Sequence, residues 1–224
     1  MVKLALSSEG RPLEASIEQL VIAGWTGRDS AAVEHHIAEL EAIGVARPKN
    51  VPSFYRVSAD RLTTSVRVQV AGQDSSGEVE VVLLSLAQGL FVGIGSDHTD
   101  RKVEAYGVTV SKQMCPKPIG PEVWPMAALQ SHWDQLVTRS WVTAGGQRRL
   151  YQEGPVSRMR RPEDLIERYT GGTQLPAGTA MFCGTHAVMG EIAGGELFEI
   201  ELHDPVSGRS LRHQYAAESL PIVD

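Results

Sequence analysis

Cysteine is scarce in this chain: 224 residues carry two, Cys115 and Cys183. Two cysteines build no disulfide framework, and the scarcity fits a reduced, cytoplasmic setting. Neither has a nucleophile signature around it, and both read as packing residues. Long apolar runs are missing too. No stretch reaches the roughly 20 residues that span a bilayer, and the first residues offer only Lys3 and a short Leu4-Ala5-Leu6 run, too little for a secretory signal. Positive charge is in deficit: 21 Lys and Arg face 27 Asp and Glu, for a net charge of −6. The densest basic run, Arg158, Arg160 and Arg161, stands before Pro162 and reads as a solvated loop, so no basic stripe awaits a phosphate backbone. These absences argue against membrane and nucleic-acid partners. Repeats and low-complexity segments are absent as well. What is present, 42% hydrophobic and 21% charged residues, is ordinary for a globular protein with a sizeable core.

The pattern along the chain is mainly β. Residues 13–23 end in an apolar run suited to a strand, and Gly24-Trp25-Thr26-Gly27-Arg28 breaks it. A helix is expected from Ser30 to Ile43, capped by Asp29 or Ser30, ended by Gly44, with Val33, Ile37 and Leu40 as its buried stripe. Strands are expected at Val66–Val70, Glu78–Leu84, Leu90–Ile94 and Val103–Val110. Four prolines between Lys112 and Pro125 preclude long regular structure there. Short helices are expected at Ala127–Val137 and 162–169, then strands at Thr179–Cys183, Leu197–Leu202 and Ser210–Tyr215. The order does not alternate as in a doubly wound fold.

Three carboxylates carry the chemistry. Glu78 and Glu80 stand two apart in a valine-rich strand and therefore share one face; Asp97 follows in Gly95-Ser96-Asp97-His98. Like charges on one face repel, and a hard divalent cation bound by oxygen ligands offsets that repulsion. The ordinary alternative is the wet face of an amphipathic strand. His36 and Glu39, three apart on the expected helix, can form a carboxylate-oriented imidazole able to act as a general base; the ordinary alternative is an exposed pair. Lys112, closing an apolar strand, is a candidate for a substrate carboxylate or keto oxygen. Gly184 allows close approach of a ligand, with Thr185 offering a hydroxyl.

In this order the pieces resemble the fumarylacetoacetate hydrolase superfamily, over roughly residues 25–215. The family pattern has a Glu-x-Glu strand, an Asn-Asp-x-Ser-x-Arg segment, a lysine with a proline-glycine-proline loop, and a closing Gly-Asp … Gly-Thr-Pro segment. Glu78-Val79-Glu80 looks like the first. Ser96-Asp97-His98-Thr99-Asp100-Arg101 looks like the second, with Ser96 in place of Asn. Lys112 and Ile119-Gly120-Pro121 look like the third. Leu175 to Thr179 and Phe182 to Thr185 look like the fourth, with Thr179 in place of Asp and His186 in place of Pro. Glu196 to Glu201 is similar to the closing strand. More loosely, Val33 to Glu39 followed by Pro52-Ser53-Phe54 is similar to the Tyr-x-x-His-x-x-Glu and Pro-x-x-Phe segments of several members, with Val33 at the tyrosine position.

The resemblance implies an α+β, mainly β fold: a mixed β-roll with few short helices. Residues 1–60 would form an N-terminal strand and helix segment able to act as a lid, and 61–224 the β-roll catalytic domain. It implies Mg²⁺, or Mn²⁺ or Ca²⁺, held by Glu78, Glu80 and Asp97. It further implies a water-activating His36–Glu39 dyad, Lys112 on an oxygen that gains charge, and a homodimer. Arg28, Arg101, Thr185 and His98 are candidate substrate contacts. The activity so implied is metal-dependent hydrolysis of a C–C bond beside a ketone in a small 2-oxo or 1,3-dioxo acid of acylpyruvate type. The alternatives are a lyase (decarboxylase, dehydratase or isomerase) on a 2-oxo acid, and a non-catalytic ligand-binding member of the fold.

Overall fold

The computed structural model describes residues 1–42, 47–192 and 194–223; the side chains of His36, Glu39, Leu40 and Ala42 are outside that set. The chain opens with a hairpin of β1 (Val2–Ser8) and β2 (Arg11–Ile17), then β3 (Gln19–Gly24). Helix α1 (Ser30–Ala42) follows. Asp29 caps it: its Oδ1 accepts from Ala31 N at 2.9 Å and Ala32 N at 3.1 Å. The remaining long strands are β4 (Ser53–Val57), β5 (Arg67–Ala71), β6 (Val79–Leu86), β7 (Gly89–Ser96), β8 (Val137–Ala144), β9 (Gln147–Pro155), β10 (Thr179–Phe182), β11 (Leu197–Asp204) and β12 (Arg209–Leu220). Among the described residues no helix is long and apolar enough to cross a membrane.

Two sheets organise the molecule. In the six-stranded sheet β7, β6, β10, β3 and β4 lie side by side, with the short strand Trp124–Pro125 on the outer edge of β7. β10 runs antiparallel to β6 and parallel to β3, so residues near 20, 80 and 180 become neighbours. The five-stranded sheet has the order β9, β8, β11, β12, β5. One face of β6, with Val79, Val81 and Leu83, packs with Met181 and with Ile200, Leu202 and Leu211 of the second sheet. The other face, with Val82 and Leu84, packs with Phe182, Leu20 and Ile22 and with Leu4, Leu6, Ala15 and Ile17 of the opening hairpin.

Strand β6 is thus buried along its whole length, on both faces. The wet-face alternative for Glu80 fails, because the strand sits mid-sheet between two apolar layers. β6 and β7 pair so that Glu80 faces Gly95 and Val79 faces Ser96. That register leaves Glu78, just before β6, and Asp97, just after β7, at the same open end of the pair. Gly95 is required there by space: a Cβ would lie 2.7 Å from Phe182 and Val82 and 2.9 Å from Ile119.

Some local expectations fail. Val103–Val110 is not a strand but parts of α2 (Arg101–Glu104) and α3 (Val108–Met114). Its β-branched Val-rich composition suits a strand, yet none of Val103, Val108 and Val110 is buried; Asp100 caps α2 by accepting from Val103 N at 2.9 Å, and Gly107 starts α3. Lys112 therefore lies on a helix, not at a strand end. Ala127–Val137 contains two short 3₁₀ turns rather than an α-helix. The β8–β9 hairpin turns at Gly145 and Gly146, both with positive φ (56° and 76°), a two-glycine signal.

Gly95→Ala is expected to destabilise the fold by about 1–3 kcal/mol through overpacking against Phe182, Val82 and Ile119. Urea unfolding measures this, and an unchanged midpoint contradicts the close approach.

Candidate metal centre

Ligand atoms of Glu78, Glu80 and Asp97 lie within 4.8 Å of one another. Asp97 is fully buried and Glu80 is 3% exposed, while Glu78 is partly open to solvent. The backbone locks the first and last acids together, Asp97 N donating to Glu78 O at 2.9 Å. Glu80 is aimed from a distant part of the chain: Gly184 N donates to its Oε2 at 2.6 Å. Only glycine serves at 184. Its φ is +98°, and a Cβ would stand 1.7 Å from Thr26 Oγ1.

Cations surround the acids. Lys112 Nζ bonds Asp97 Oδ2, and its ammonium stands 5.8 Å from the centre of the Tyr55 ring. Lys117 Nζ lies 3.3 Å from Asp97 Oδ1. Arg101 lies 3.1 Å from Glu78 Oε1 and also donates to Ser76 Oγ at 2.6 Å and Glu104 at 3.1 Å. Burial pushes the Asp97 pKa up, but Lys112 and Lys117 outweigh it and bring it down from 3.8 to about 2. Glu80 goes the other way: burial, then the Asp97 charge, pushes its pKa well above the ordinary carboxylate range. Burial opposes the charge of Lys112, but Asp97 and Glu78 raise its pKa overall, so it remains an ammonium.

The donor set fits a hard divalent cation. Three carboxylates converge, all ligands are oxygen, and Glu80 carries an electrostatic strain that a dication relieves.

The other candidate residues fall into four groups. Arg101 touches the cluster through Glu78. His98 and Thr185 support it from behind. His98 is fully buried, with Nδ1 2.9 Å from Tyr215 Oη and Nε2 2.9 Å from Ser75 Oγ, so both ring nitrogens are engaged. Thr185 Oγ1 donates to Val79 O and accepts from Gln152 Nε2, each at 2.7 Å. Arg28 is committed elsewhere, to Asp134 at 2.9 and 3.1 Å and to Met159 O at 3.1 Å. The His36–Glu39 dyad lies outside the described side chains. Sequence reasoning missed Lys117, Tyr55 and Gln152. Lys117, a charge between Pro116 and Pro118 beside apolar Cys115 and Ile119, carried a signal; Gln152 carried none.

This arrangement, two sheets around an acidic cluster at the open end of a strand pair, is the fold of the fumarylacetoacetate hydrolase superfamily. The chain belongs to the family described as "Protein of unknown function (DUF2848)", whose model matches residues 23–215. No curated protein matches the sequence significantly. Among similar solved structures, Cg1458 with inhibitor is 17% identical, with a TM-score of 0.65, covering 93% of this chain and 81% of that one. A 2-keto-3-deoxy-D-arabinonate dehydratase complexed with magnesium and 2,5-dioxopentanoate is 15% identical, with a TM-score of 0.63 and coverage of 92% and 75%. The 4-oxalocrotonate decarboxylase from Pseudomonas putida G7, complexed with calcium and acetate, is 12% identical, with a TM-score of 0.53 and coverage of 92% and 78%.

Burial, with the Lys117 and Arg101 charges, lowers the His98 pKa from 6.5 to about 3. Between these values the unfolded chain takes up a proton that the folded chain refuses, so stability falls as pH drops below about 6.5. From pH 7 to pH 5 this amounts to about 2 kcal/mol. Urea unfolding should show that loss in wild type and not in His98→Gln; equal slopes contradict a neutral, buried His98.

Proposed function

We propose that this chain is a divalent-metal-dependent enzyme acting beside the carbonyl of a small 2-oxo or 1,3-dioxo acid. One observation carries the reading: three convergent carboxylates, two of them buried, with an ammonium resting on one of them. Glu78, Glu80 and Asp97 would hold the ion, which when bound polarises the substrate carbonyl as a Lewis acid and offsets charge that develops on it. Lys112 is the mobile donor, a long side chain kept protonated by its acidic neighbours, able to turn from Asp97 to an oxygen gaining negative charge. Arg101 fixes the exposed carboxylate, Glu78. Gly184 N–H fixes the buried one, Glu80. His98 stays neutral and braces the wall through Ser75 and Tyr215.

As a hydrolase, the enzyme would cleave a C–C bond with a water deprotonated by His36, oriented by Glu39. A lyase reading, by decarboxylation, dehydration or isomerisation, has its own support. Two of the similar solved structures are a dehydratase and a decarboxylase. A cytoplasmic homodimer belongs to the same proposal, as does a lid from residues 1–60, confined to helix α1 because β3 and β4 are built into the six-stranded sheet.

Wild type is expected to bind about one Mn²⁺ or Mg²⁺ per chain, with the site lost in Glu78→Ala/Glu80→Ala, as measured by equilibrium dialysis. No binding in wild type, even with an oxo acid present, sinks the enzyme reading and leaves a ligand-binding module. Turnover of acylpyruvates and 2-oxo acids then separates the chemistries. In His36→Ala, activity falling at least about 100-fold with metal retained supports the hydrolase; unchanged activity favours the lyase.

A further inference from the structure

Lys117 has no part in the chemistry just described, yet it is the most enclosed cation at the site. Its side chain has no exposure. It sits in the short strand Lys117–Pro118, which pairs in parallel with Leu62–Thr63. Its Nζ meets three acceptors: His98 O, Cys115 O at 3.2 Å and Asp97 Oδ1 at 3.3 Å. Burial lowers the Lys117 pKa against the pull of Asp97, but an ammonium has three N–H donors and no acceptor, so this set of three acceptors matches the charged form. Two of the acceptors are backbone carbonyls, which hold the group in place whatever Asp97 does.

Both oxygens of Asp97 therefore carry an ammonium, but the two lysines are not alike. Lys112 reaches Oδ2 from helix α3, keeps 8% exposure and has Asp97 as its bonded acceptor, with no backbone carbonyl holding it among the described residues. Lys117 is held by two. When Asp97 serves as a metal ligand, the dication must share that carboxylate with a fixed positive charge, and like charges in so dry a place repel strongly. Around the three acids stand Lys112, Lys117 and Arg101: two cations on Asp97, one on Glu78 and, among the described residues, none bonded to Glu80. A bare dication thus enters a site where Glu80 calls for it but Asp97 is already held by two ammonium groups. A chelating anionic substrate brings the charge that is missing.

We infer that Lys117 is a positioning residue: a built-in counter-cation that keeps metal affinity low until an anionic oxo acid arrives, so that metal and substrate bind as a coupled pair. This rests on the metal reading of Glu78, Glu80 and Asp97. Coupling is reciprocal, so whatever Lys117 withholds from the metal it also makes conditional on the anion.

The experiment follows free Mn²⁺ by its EPR signal, with and without saturating oxalate as a dianionic oxo-acid surrogate. Wild type, Lys117→Met, Lys117→Gln and Glu80→Ala are compared, with thermal melts to score folding. Wild type is expected to bind Mn²⁺ weakly and to tighten at least about tenfold with oxalate. Lys117→Met should bind Mn²⁺ alone at least about tenfold more tightly than wild type, and oxalate should then add less. If that variant does not fold, Lys117→Gln, which can still donate to His98 O, carries the same expectation. Unchanged or weaker Mn²⁺ binding in a folded Lys117 variant overturns the counter-cation role. So does a wild-type affinity indifferent to oxalate. No Mn²⁺ uptake by wild type even with oxalate, or uptake by Glu80→Ala equal to wild type, overturns the metal reading itself, and the two failures are distinguishable.

Discussion

The structure turns on one buried carboxylate held between two ammonium groups. Asp97 has no exposure, and its ionised form persists because Lys112 and Lys117 lie on its two oxygens. A lone charge at that depth costs several kcal/mol, so these lysines are conditions for the acid being there at all. Neighbouring features follow from this need. Lys117 is clamped by backbone carbonyls, α3 delivers Lys112, and the extended segment from Cys115 to Pro118 brings both lysines onto one residue. Glu80 has no such partner. It meets a backbone N–H and two like charges, which leaves the cluster with an unmet demand for a cation.

The sheets answer a different demand, that of placing acids from separate segments at one point without loose ends. Placing the acids where β6 begins and β7 ends puts Glu78, Glu80 and Asp97 together through strand register alone. Apolar layers on both faces hold that register, because a slip by one residue would turn Glu80 into the opposite layer. Gln152 completes the wall: its Oε1 accepts from Val79 N at 2.9 Å, and its Nε2 donates to Thr185 Oγ1 and to His186 O.

Legibility in the sequence tracked how local each cause was. Glu78-Val79-Glu80 was readable because a two-residue spacing fixes a face whatever the tertiary setting. Helix α1 was readable from Asp29 and the spacing of Val33 and Ile37. Residues 103–110 were not, since β-branched valines favour a strand only where they pack against a core, and here none of them is buried. That β6 is buried on both faces depends on strands nearly 60 residues before and 100 residues after it, which no local pattern encodes. Gln152 and Tyr55 reach the site by the same long-range pairing. Lys117 is the intermediate case: a lysine between prolines in an apolar run is locally conspicuous, but its role is defined only by the carbonyls that enclose it.

The bond from Gly184 N to Glu80 spans 104 positions of sequence. The three acids emerge early in synthesis, but the donor that orients the middle one arrives only with β10, and the parallel pairing of β5 with β12 comes later still. Such distant pairings close large loops and are slow to form. The local β6–β7 hairpin thus gathers Glu78, Glu80 and Asp97 early, while the orientation of Glu80 is fixed only in one of the last steps of assembly.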